Sequence, residues 1–233
     1  MLTKNFLKGR RRDELSPIEL DAVESSICEV RILPARRTIV RAGEAPSECM
    51  FLIEGFMDRH VDDDAGGRQM LALHVPGDFV DLHAYPLRKL DHDNATITEC
   101  TVGIVHFDRL REIQISMPNV AHYLWLSTLM DAAIHREWIF RQSRLNAVGK
   151  IAHFFSETEC RLNMIERVEG GEFALPIVQS DLADITGLTS VHVNRCLKSL
   201  HIDNVVDFKM GRATVKSHQK LHELGKFDPS YLV

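Results

Sequence analysis

The spacing of apolar residues divides the chain into three consecutive segments with different periods. From Val30 to Val105, apolar runs of strand length alternate with turn signals at intervals of about ten residues. From Pro118 to Arg144, nothing after the initial proline breaks a helix, and the sequence predicts one long helix. Beyond Leu145, helical spacing returns in shorter stretches, interrupted by a Gly-rich link and a hairpin signal. The period therefore predicts a β domain, a long helix and a mixed domain.

Turn residues set the boundaries of the predicted strands. The turns are at Ala42-Gly43-Glu44, Glu54-Gly55, Ala65-Gly66-Gly67 and Val75-Pro76-Gly77-Asp78. The strands predicted around them are 38–40, 50–53, 70–73, 95–98 and 102–105. Evenly spaced short strands separated by turns are typical of a β-sandwich or jelly roll. Ahead of this segment, a capping box at Ser16 to Glu19 predicts a short helix that runs to about Cys28.

The central helix has apolar residues on more than one face. A helix from Pro118 to Arg144 would be about 40 Å long. A helix that lies on one small domain needs a single apolar stripe, whereas residues 120–130 are apolar almost all round. We expect a second partner, most simply the same helix of another subunit; burial inside a monomer is the alternative. The 3-4 spacing of a coiled-coil seam predicts a dimer interface at Tyr123, Leu126, Met130, Ala133 and Phe140, with Glu137 between them.

The stretch from Gln179 to Leu200 predicts two short helices joined by a tight turn. Ser180 is expected to cap the first helix, because serine side chains accept hydrogen bonds from the first free backbone N–H groups. Gly187 stands at the turn, where a residue free to take positive φ is favoured. Thr189 is the expected N-cap of the second helix.

The second of these helices is amphipathic. Its predicted buried stripe is Val193, Cys196, Leu197 and Leu200. Its opposite face carries Ser190, Val191, Asn194, Arg195 and Lys198. A helix that is buried on one side and offers a hydroxyl, an amide and two cations on the other suits the DNA major groove. Helix pairs that bind nothing also need a glycine turn and an apolar stripe, so the motif alone leaves both interpretations open.

A hairpin signal follows the helix pair. Residues 204–206 and 213–215 are rich in β-branched side chains, and they flank the turn Lys209-Met210-Gly211-Arg212. A last short helix is expected at Gln219–Leu224. Helix-turn-helix followed by a hairpin is the order of elements in a winged helix. A helix from Leu145 to about Asn163 precedes this module, and the hinge of the chain is predicted near Leu145-Asn146.

Charge is distributed unevenly along the chain. The full sequence of 233 residues has a formal net charge of −5. The segment from Gly187 to Lys220 has a net excess of basic residues: Arg195, Lys198, Lys209, Arg212, Lys216 and Lys220, against Asp203 and Asp207. A local basic region in an acidic protein is expected of a phosphate-binding surface. With the winged-helix order, it predicts a DNA-reading module.

Cysteine usage and hydropathy indicate a reduced, cytoplasmic protein without membrane contact. The cysteines, Cys28, Cys49, Cys100, Cys160 and Cys196, are odd in number and lack the close pairing of zinc or iron–sulfur ligands. No segment approaches the roughly 18 consecutive apolar residues that a membrane span requires. The basic stretch from Met1 to Asp13 lacks the features of a secretory signal. We expect a solvated arm there, with contact to DNA or a partner as the alternative.

Taken together, these segments resemble the Crp/Fnr family of bacterial transcription regulators over nearly the whole chain. The most specific residues are Gln179, Ser180, Asp181, Leu182, Ala183, Gly187, Leu188, Thr189, Ser190, Val193, Asn194, Arg195, Leu197 and Leu200, together with Gly43-Glu44, 51–55 and 76–79. The resemblance implies an α+β fold with an N-terminal β jelly roll, cyclic-nucleotide-binding-like, at 1–117. It further implies a long central dimerisation helix at 118–144 and a C-terminal winged helix-turn-helix at 145–233. The expected function is that of a homodimer that binds a near-palindromic operator in double-stranded DNA, with RNA polymerase as a further partner.

The resemblance assigns roles to the residues on the DNA-reading helix. The expected base-reading residues are Ser190, Val191, Asn194 and Arg195. Arg195 is a bidentate donor for guanine, while Val191 stands where an acidic residue is common and is suited to a thymine methyl group. The expected phosphate contacts are Gln179, Ser180, Thr189, His192, Lys198 and Arg212. For His192, a merely solvated side chain is an equal alternative.

The sequence predicts the effector less precisely than it predicts the fold or the DNA-reading helix. Members of the family that bind cyclic AMP hold its ribose and phosphate with Gly-Glu and Arg-Ser pairs, where this chain has Asp81-Leu82 and Asp93-Asn94. A carboxylate near the cyclic phosphate would repel it, and Leu82 cannot accept a hydrogen bond, so we expect no tight binding of cyclic AMP. The expectation is a degenerate pocket with an unknown small-molecule effector or none, and no cofactor.

Other sensor chemistries are less favoured. The oxygen-sensing relatives carry a close cysteine cluster near the N-terminus, whereas this chain has only Cys28 there. Five histidines fall in or beside the jelly roll: His60, His74, His83, His92 and His106. His83 or His92 could ligate haem or a metal, although isolated histidines in a β domain are more often structural.

Two function classes compete with a regulator. A metalloenzyme on a cupin-like jelly roll would need His and Glu ligands at close spacing on neighbouring strands, and the sequence has no such set and no nucleophile–base constellation. The chain is therefore predicted not to be an enzyme. A dimeric ligand-binding or scaffold protein whose helix-turn-helix does not read DNA is the second alternative.

Overall fold

The chain, described from Met1 to Val233 in a computed structural model, divides into two structural units. Unit 1 comprises Met1–Val61 and Ala72–Ala132, and unit 2 comprises Asp62–Leu71 and Ala133–Val233. The helices are α1 (Pro17–Ser25), α2 (Ala84–Leu87), α3 (Phe107–Ser116), α4 (Pro118–Arg144), α5 (Ala147–Met164), α6 (Gln179–Thr186), α7 (Ser190–Ile202) and α8 (His218–Gly225). No helix is both long and apolar enough to cross a membrane.

The strands form three antiparallel sheets. Their bounds are β1 (Glu29–Leu33), β2 (Thr38–Val40), β3 (Glu48–Glu54), β4 (Met57–Asp62), β5 (Arg68–His74), β6 (Asp93–Thr96), β7 (Cys100–His106), β8 (Val168–Glu169), β9 (Glu172–Ala174), β10 (Val206–Lys209) and β11 (Arg212–Val215). The strand orders are β1-β7-β3, β2-β6-β4-β5 and β10-β11-β9-β8. The first two sheets form the N-terminal β domain and the third belongs to the C-terminal domain, so the α+β class and the jelly roll predicted from the sequence are confirmed.

Strand β4 does not follow the apolar pattern that marks the other strands. Its residues Asp58, Arg59 and His60 are all buried, and the strand pairs with β6 from Met57 to His60. The sequence pattern predicts no strand here, because charged and imidazole side chains rarely face a protein interior. The interior of the β domain is therefore partly polar.

The N-terminal segment is folded onto the β domain. Phe6 and Leu7 are buried, and the Phe6 ring meets the rings of Phe51 and Phe79 edge-on at centroid distances of 6.3 and 5.9 Å. Gly77 at φ +107° passes so close to Asn5 that a Cβ atom would lie 2.5 Å from the Asn5 carbonyl oxygen. The expectation of a solvated arm at Met1 to Asp13 is wrong, because two apolar side chains anchor the segment.

The capping box at the start of α1 forms as predicted. The Ser16 backbone N–H donates to Glu19 Oε2 at 2.7 Å, and the Glu19 N–H donates to Ser16 Oγ at 3.4 Å. The helix ends at Ser25, slightly before the predicted Cys28. Helix α3 was not predicted, and Ser116, its last residue, donates to the Glu112 carbonyl at 2.7 Å within α3.

Unit 2 has a buried polar network beneath its C-terminal residues. Trp138 Nε1 donates to Glu157 Oε1 at 3.0 Å, and the Tyr231 hydroxyl donates to Glu157 Oε2 at 2.8 Å. The fully buried guanidinium of Arg141 lies 4.1 Å from the centroid of the Trp138 ring. Desolvation lowers the Arg141 pKa to about 10, against the opposing attraction of Glu157. Asn146 caps α5 through its side chain, which accepts from the Gly149 N–H at 2.8 Å.

Candidate DNA-binding surface and effector pocket

The turn between α6 and α7 has the predicted glycine. Gly187 adopts φ +62°, the left-handed conformation that glycine tolerates at the end of a helix. Gln142 Nε2 donates to the Ile185 carbonyl at 2.7 Å and satisfies one of the last acceptors of α6. The turn is thus stabilised both by its backbone conformation and by a side chain of α4 within unit 2.

Helix α6 is capped differently from the prediction. It begins at Gln179, so Ser180 lies inside the helix and does not cap it. Instead, Asp181 Oδ2 accepts a hydrogen bond from the Val178 N–H at 2.9 Å. A carboxylate close to a helix N-terminus also interacts favourably with the helix dipole, which explains why the cap can shift by two residues.

Helix α7 has the two faces expected from its sequence. Thr189 caps it, with Oγ1 accepting from the His192 N–H at 3.3 Å. The buried side consists of Val193, Cys196 and Leu200, with Leu197 partly buried. The exposed side consists of Ser190, Val191, Asn194, Arg195 and Lys198. Val191 is 70% exposed, which is unusual for a residue of its type and places an apolar side chain in the middle of the outer face.

A hydrogen bond joins the outer face of α7 to the start of α6. Asn194 Nδ2 donates to Gln179 Oε1 at 3.2 Å. Gln179, Ser180 and Thr189 are exposed around this contact. His192 is only partly exposed. These residues, predicted to touch bases or phosphates, therefore form one continuous surface at the N-terminal ends of both helices.

The hairpin β10–β11 forms as predicted, with Met210 and Gly211 at its tip. Both residues have left-handed φ values, +51° and +70°, and Met210 is fully exposed. Arg212 is exposed, but its guanidinium already donates to Glu172 Oε1 at 2.6 Å. A phosphate contact by Arg212 would thus have to compete with this carboxylate or share the guanidinium with it.

One face of α4 is exposed and apolar. Trp125, Leu129 and Ile139 are all exposed, and Ala132 lies between them partly buried. The spacing of these positions is 4, 3 and 7 residues, which is that of a coiled-coil seam. Leu126 and Ala133 are partly buried next to this face, and Phe140 is exposed.

Two residues of the predicted dimer interface lie elsewhere. Tyr123 and Met130 are buried in the core of unit 1, where the Tyr123 hydroxyl donates to Glu14 Oε2 at 2.6 Å. The exposed seam is therefore rotated by about one residue from the predicted one. The sequence period could not decide between the two, because both faces of this part of α4 are apolar.

Of the residues predicted to line an effector pocket, Asp81, Leu82 and Asn94 are buried in unit 1 and Asp93 is partly buried, but they do not act together. Asp81 Oδ1 accepts from the Met50 N–H at 2.7 Å, and Asp93 Oδ1 accepts from the Ala42 N–H at 2.7 Å, so both carboxylates stabilise backbone. Leu82 packs in the apolar core. Asn94 is fully buried, and neither atom of its amide has a hydrogen-bond partner.

A group of polar side chains surrounds Asn94. Asn94 stands opposite Arg59 in the ladder between β6 and β4, and His92 lies two residues before Asn94. The rings of His83 and His92 are 5.1 Å apart. Arg59 and His74 interact electrostatically with both of these imidazoles. The sequence does not predict Arg59 as part of this group, because the hydrophobic pattern does not identify a strand of polar residues.

Burial changes the protonation of this group. Desolvation, reinforced by the charge of Arg59, lowers the pKa of His83 to about 3 and that of His92 to about 4. Desolvation raises the pKa of Asp81 to about 7, although the Met50 N–H and Arg59 oppose the shift. The two imidazoles are therefore neutral at physiological pH. No three or more His, Cys, Asp or Glu side chains are grouped so that they could hold a metal ion.

The domain that carries this surface matches a known family. Residues 149–224 match the family described as "Crp-like helix-turn-helix domain". The match begins in α5 and ends in α8, and so includes the helix pair and the hairpin.

Curated relatives extend the similarity over most of the chain. The transcriptional activator protein FnrL of Cereibacter sphaeroides is 26% identical over 180 residues, which cover 76% of this chain and 71% of the relative. The anaerobic regulatory protein of Haemophilus influenzae is 21% identical over 212 residues, which cover 90% of this chain and 81% of the relative.

Solved structures share the fold. The structure of FixK2 from Bradyrhizobium japonicum matches with a TM-score of 0.75 and 23% identity, covering 84% of this chain and 96% of that one. The Crp-family regulator TTHB099 from Thermus thermophilus matches with a TM-score of 0.68 and 15% identity, covering 84% and 97% of the two chains.

Proposed function

Because the chain belongs to the Crp/Fnr family of transcription regulators, we propose that it acts as a homodimer that binds a near-palindromic operator. The observation that carries this proposal is the outer face of α7. Its side chains are exposed together, whereas Val193, Cys196 and Leu200 on the opposite side of the helix are buried in the domain. A surface of this kind matches the width and the hydrogen-bonding groups of the DNA major groove.

We assign base reading to Ser190, Val191, Asn194 and Arg195. Arg195 reads guanine through O6 and N7, and Val191 packs on a thymine methyl group. Asn194 is held by Gln179 and is thereby oriented before DNA arrives. Phosphate contacts come from Gln179, Ser180, Thr189, His192, Lys198 and Arg212, which lie on or beside the same surface and fix the register without specifying sequence.

The exposed seam of α4 supports dimerisation. Trp125, Leu129 and Ile139 expose apolar surface that a monomer would leave in water. Pairing of this seam with its copy buries that surface and brings two α7 helices into one assembly. Two recognition helices read two half-sites about one helical turn apart, which explains the near-palindromic operator. In this proposal the dimer interface includes Leu126, Ala133 and Phe140 beside the seam, and Tyr123 and Met130 support α4 from within the protomer.

The β domain acts as the sensor, with a pocket too degenerate for cyclic AMP. Asp93 contributes a carboxylate where a cyclic phosphate would need a cation, and Leu82 offers no hydrogen bond to the ribose. An effector-independent regulator, or a haem or small-molecule sensor of the same family, is the alternative. Double-stranded DNA and RNA polymerase are the expected partners, the cytoplasm is the expected location, and no enzymatic activity is expected.

Selection of bound sequences from random duplexes tests the proposal. We expect two inverted half-sites with guanine at the step that Arg195 reads. Mobility shifts at two salt concentrations, with Arg195→Ala as the comparison, then separate specific from nonspecific binding. A scaffold protein of the same fold would yield no enriched sequence, and its binding would be the same for the wild type and the variant.

A further inference from the structure

The interior of the β domain holds polar groups that the fold itself leaves unpartnered. His74, His92 and Asn94 are each more than nine-tenths buried. The Nε2 atoms of both imidazoles and both amide atoms of Asn94 have no hydrogen-bond partner. Native proteins satisfy the large majority of their buried polar atoms, so several exceptions in one place require an explanation.

These groups belong to one cluster, here called the Asn94 cluster and defined as His74, His83, His92 and Asn94. Asn94 stands opposite Arg59 in the ladder between β6 and β4, and Arg59 interacts electrostatically with both His83 and His92. The rings of His83 and His92 lie 5.1 Å apart and are tilted by 44°, and His74 interacts electrostatically with both imidazoles. The side chains of separate chain segments therefore converge on a single interior region of unit 1.

The architecture of the strand does not require an amide at this position. Thr96, two residues further along β6, is a buried polar residue whose side chain is hydrogen-bonded to the backbone of the same unit. Its hydroxyl donates to the Pro34 carbonyl at 2.6 Å and accepts from the Arg37 N–H at 3.0 Å. Asn94 makes neither kind of bond, although it is equally buried. A buried amide without partners destabilises the fold, whereas an apolar residue of similar shape would not.

The unpartnered atoms are mostly acceptors. His92 Nδ1 lies 2.7 Å from Asp91 Oδ1, so its proton is on Nδ1 and Nε2 presents a lone pair. His74 Nδ1 lies 3.7 Å from Asp78 Oδ2, which favours the same tautomer. Asn94 Oδ1 adds a third acceptor, against the single Nδ2 donor group of the same side chain. The guanidinium of Arg59 is already bound to Asp131 and to the Val80 carbonyl.

We propose that the Asn94 cluster binds a small uncharged ligand rich in O–H or N–H donors. Donors of the ligand would pair with the imidazole Nε2 atoms and with Asn94 Oδ1, and one acceptor would pair with Asn94 Nδ2. A phosphate or carboxylate brings only acceptors and would face the imidazole lone pairs. Such a ligand would be the effector of the β domain, and its biological role rests on the proposed regulatory function. Binding of the ligand to the cluster does not depend on that function.

Two substitutions on the same strand test the cluster without any ligand. In Asn94→Leu, the unpartnered amide is replaced by an apolar side chain of similar shape. We expect a melting temperature that is unchanged or raised by up to about 4 °C. In Thr96→Val, two hydrogen bonds are lost, and we expect a decrease of at least about 2 °C. If Asn94→Leu melts several degrees below the wild type, the Asn94 amide is structurally satisfied and the proposal fails.

Matched pairs of small molecules test the ligand class on the full-length wild-type protein. The pairs are nicotinamide and nicotinate, ribose and ribose 5-phosphate, and adenosine and cyclic AMP. We expect at least one uncharged member to raise the melting temperature at millimolar concentration, and to have no effect on Asn94→Leu. A larger shift with the charged member of a pair, or no shift with any uncharged member, would overturn the proposal.

Mobility shifts with the selected operator keep this inference separate from the proposed function. If the wild-type protein binds its operator but no uncharged probe stabilises it, the ligand class is wrong and the regulator stands. If a probe binds and no operator can be selected, the site is real and the proposed function fails.

Discussion

Arg59 Nη1 lies 2.8 Å from Asp131 Oδ2, so that an ion pair joins strand β4 to helix α4 within unit 1. The Arg59 side chain is only 3% exposed, and its Nη2 donates to the Val80 carbonyl at 2.7 Å. A guanidinium at this depth requires a counter-charge, because burying an unpaired charge is strongly unfavourable. The pair thus joins the interior of the β domain to helix α4, which carries the exposed seam.

Removing the carboxylate of this pair should destabilise the protein. We expect Asp131→Ala to lower the free energy of unfolding by about 3 kcal/mol or more, since it removes the carboxylate that faces the buried guanidinium of Arg59. Asp131→Asn keeps an acceptor oxygen but no charge and should cost less. Urea denaturation followed by tryptophan fluorescence measures both. A loss below about 1 kcal/mol for Asp131→Ala would mean that solvent screens the pair as it screens surface ion pairs.

Substitutions on α7 should separate base reading from phosphate binding. Arg195→Ala should lose about 1–3 kcal/mol of discrimination at one base step, because no other donor replaces its bidentate contact. Lys198→Ala should weaken binding to all sequences about equally and reduce the salt slope by about 1. Competition mobility shifts with single-base operator variants measure the first effect, and a salt titration measures the second. Equal loss of affinity for every variant with Arg195→Ala would contradict its assignment to bases.

Charge on the α4 seam should abolish the proposed dimer. Ile139→Glu places a carboxylate on the exposed seam, where pairing would bury it next to its own copy, and we expect a monomer by analytical ultracentrifugation. Ile18→Glu is the matched control, since Ile18 on α1 is 73% exposed and Ile139 is 69% exposed. The control should remain dimeric. A dimer that survives Ile139→Glu would show that subunits pair elsewhere.

The periodicity of the sequence determines some elements of this fold and leaves others open. Helix α4 begins and ends where the sequence predicts, because Pro118 sets its start and nothing breaks the helical pattern before Arg144. The two faces of α7 follow from the spacing of Val193, Cys196 and Leu200. The identity of the exposed face of α4 does not follow, since residues on both faces are apolar.

The parts of the candidate sensor site that were missed share one physical cause. Strand β4 buries Asp58, Arg59 and His60. Asp58 and His60 are hydrogen-bonded to each other, and Arg59 pairs with Asp131 of helix α4. Hydrophobic patterning identifies strands through their apolar interior faces, so it misses a strand whose interior face is polar. Asn94 could be named from the family resemblance, but its lack of partners is visible only once the interior is assembled.

The stability of the protein should depend on pH through the raised pKa of Asp81. The folded protein favours the protonated carboxyl, with a pKa of about 7, whereas an unfolded aspartate titrates near 3.8. Asp81 is therefore destabilising when ionised, and this cost grows as pH rises through the interval between the two values. The neutral His83 and His92 act in the opposite direction, since their lowered pKa values reduce stability as pH falls below about 6.5.

Comparison of Asp81→Asn with the wild type isolates the aspartate, because the histidine contributions are common to both proteins. Asparagine can still accept the hydrogen bond from the Met50 N–H and cannot ionise. We expect the stability of the variant relative to the wild type to rise by about 3 kcal/mol between pH 5 and pH 8. Urea unfolding at four pH values in this range measures the difference. A difference that stays constant with pH would mean that Asp81 ionises at its ordinary pKa in the folded protein, and that its burial is relieved by groups other than Met50.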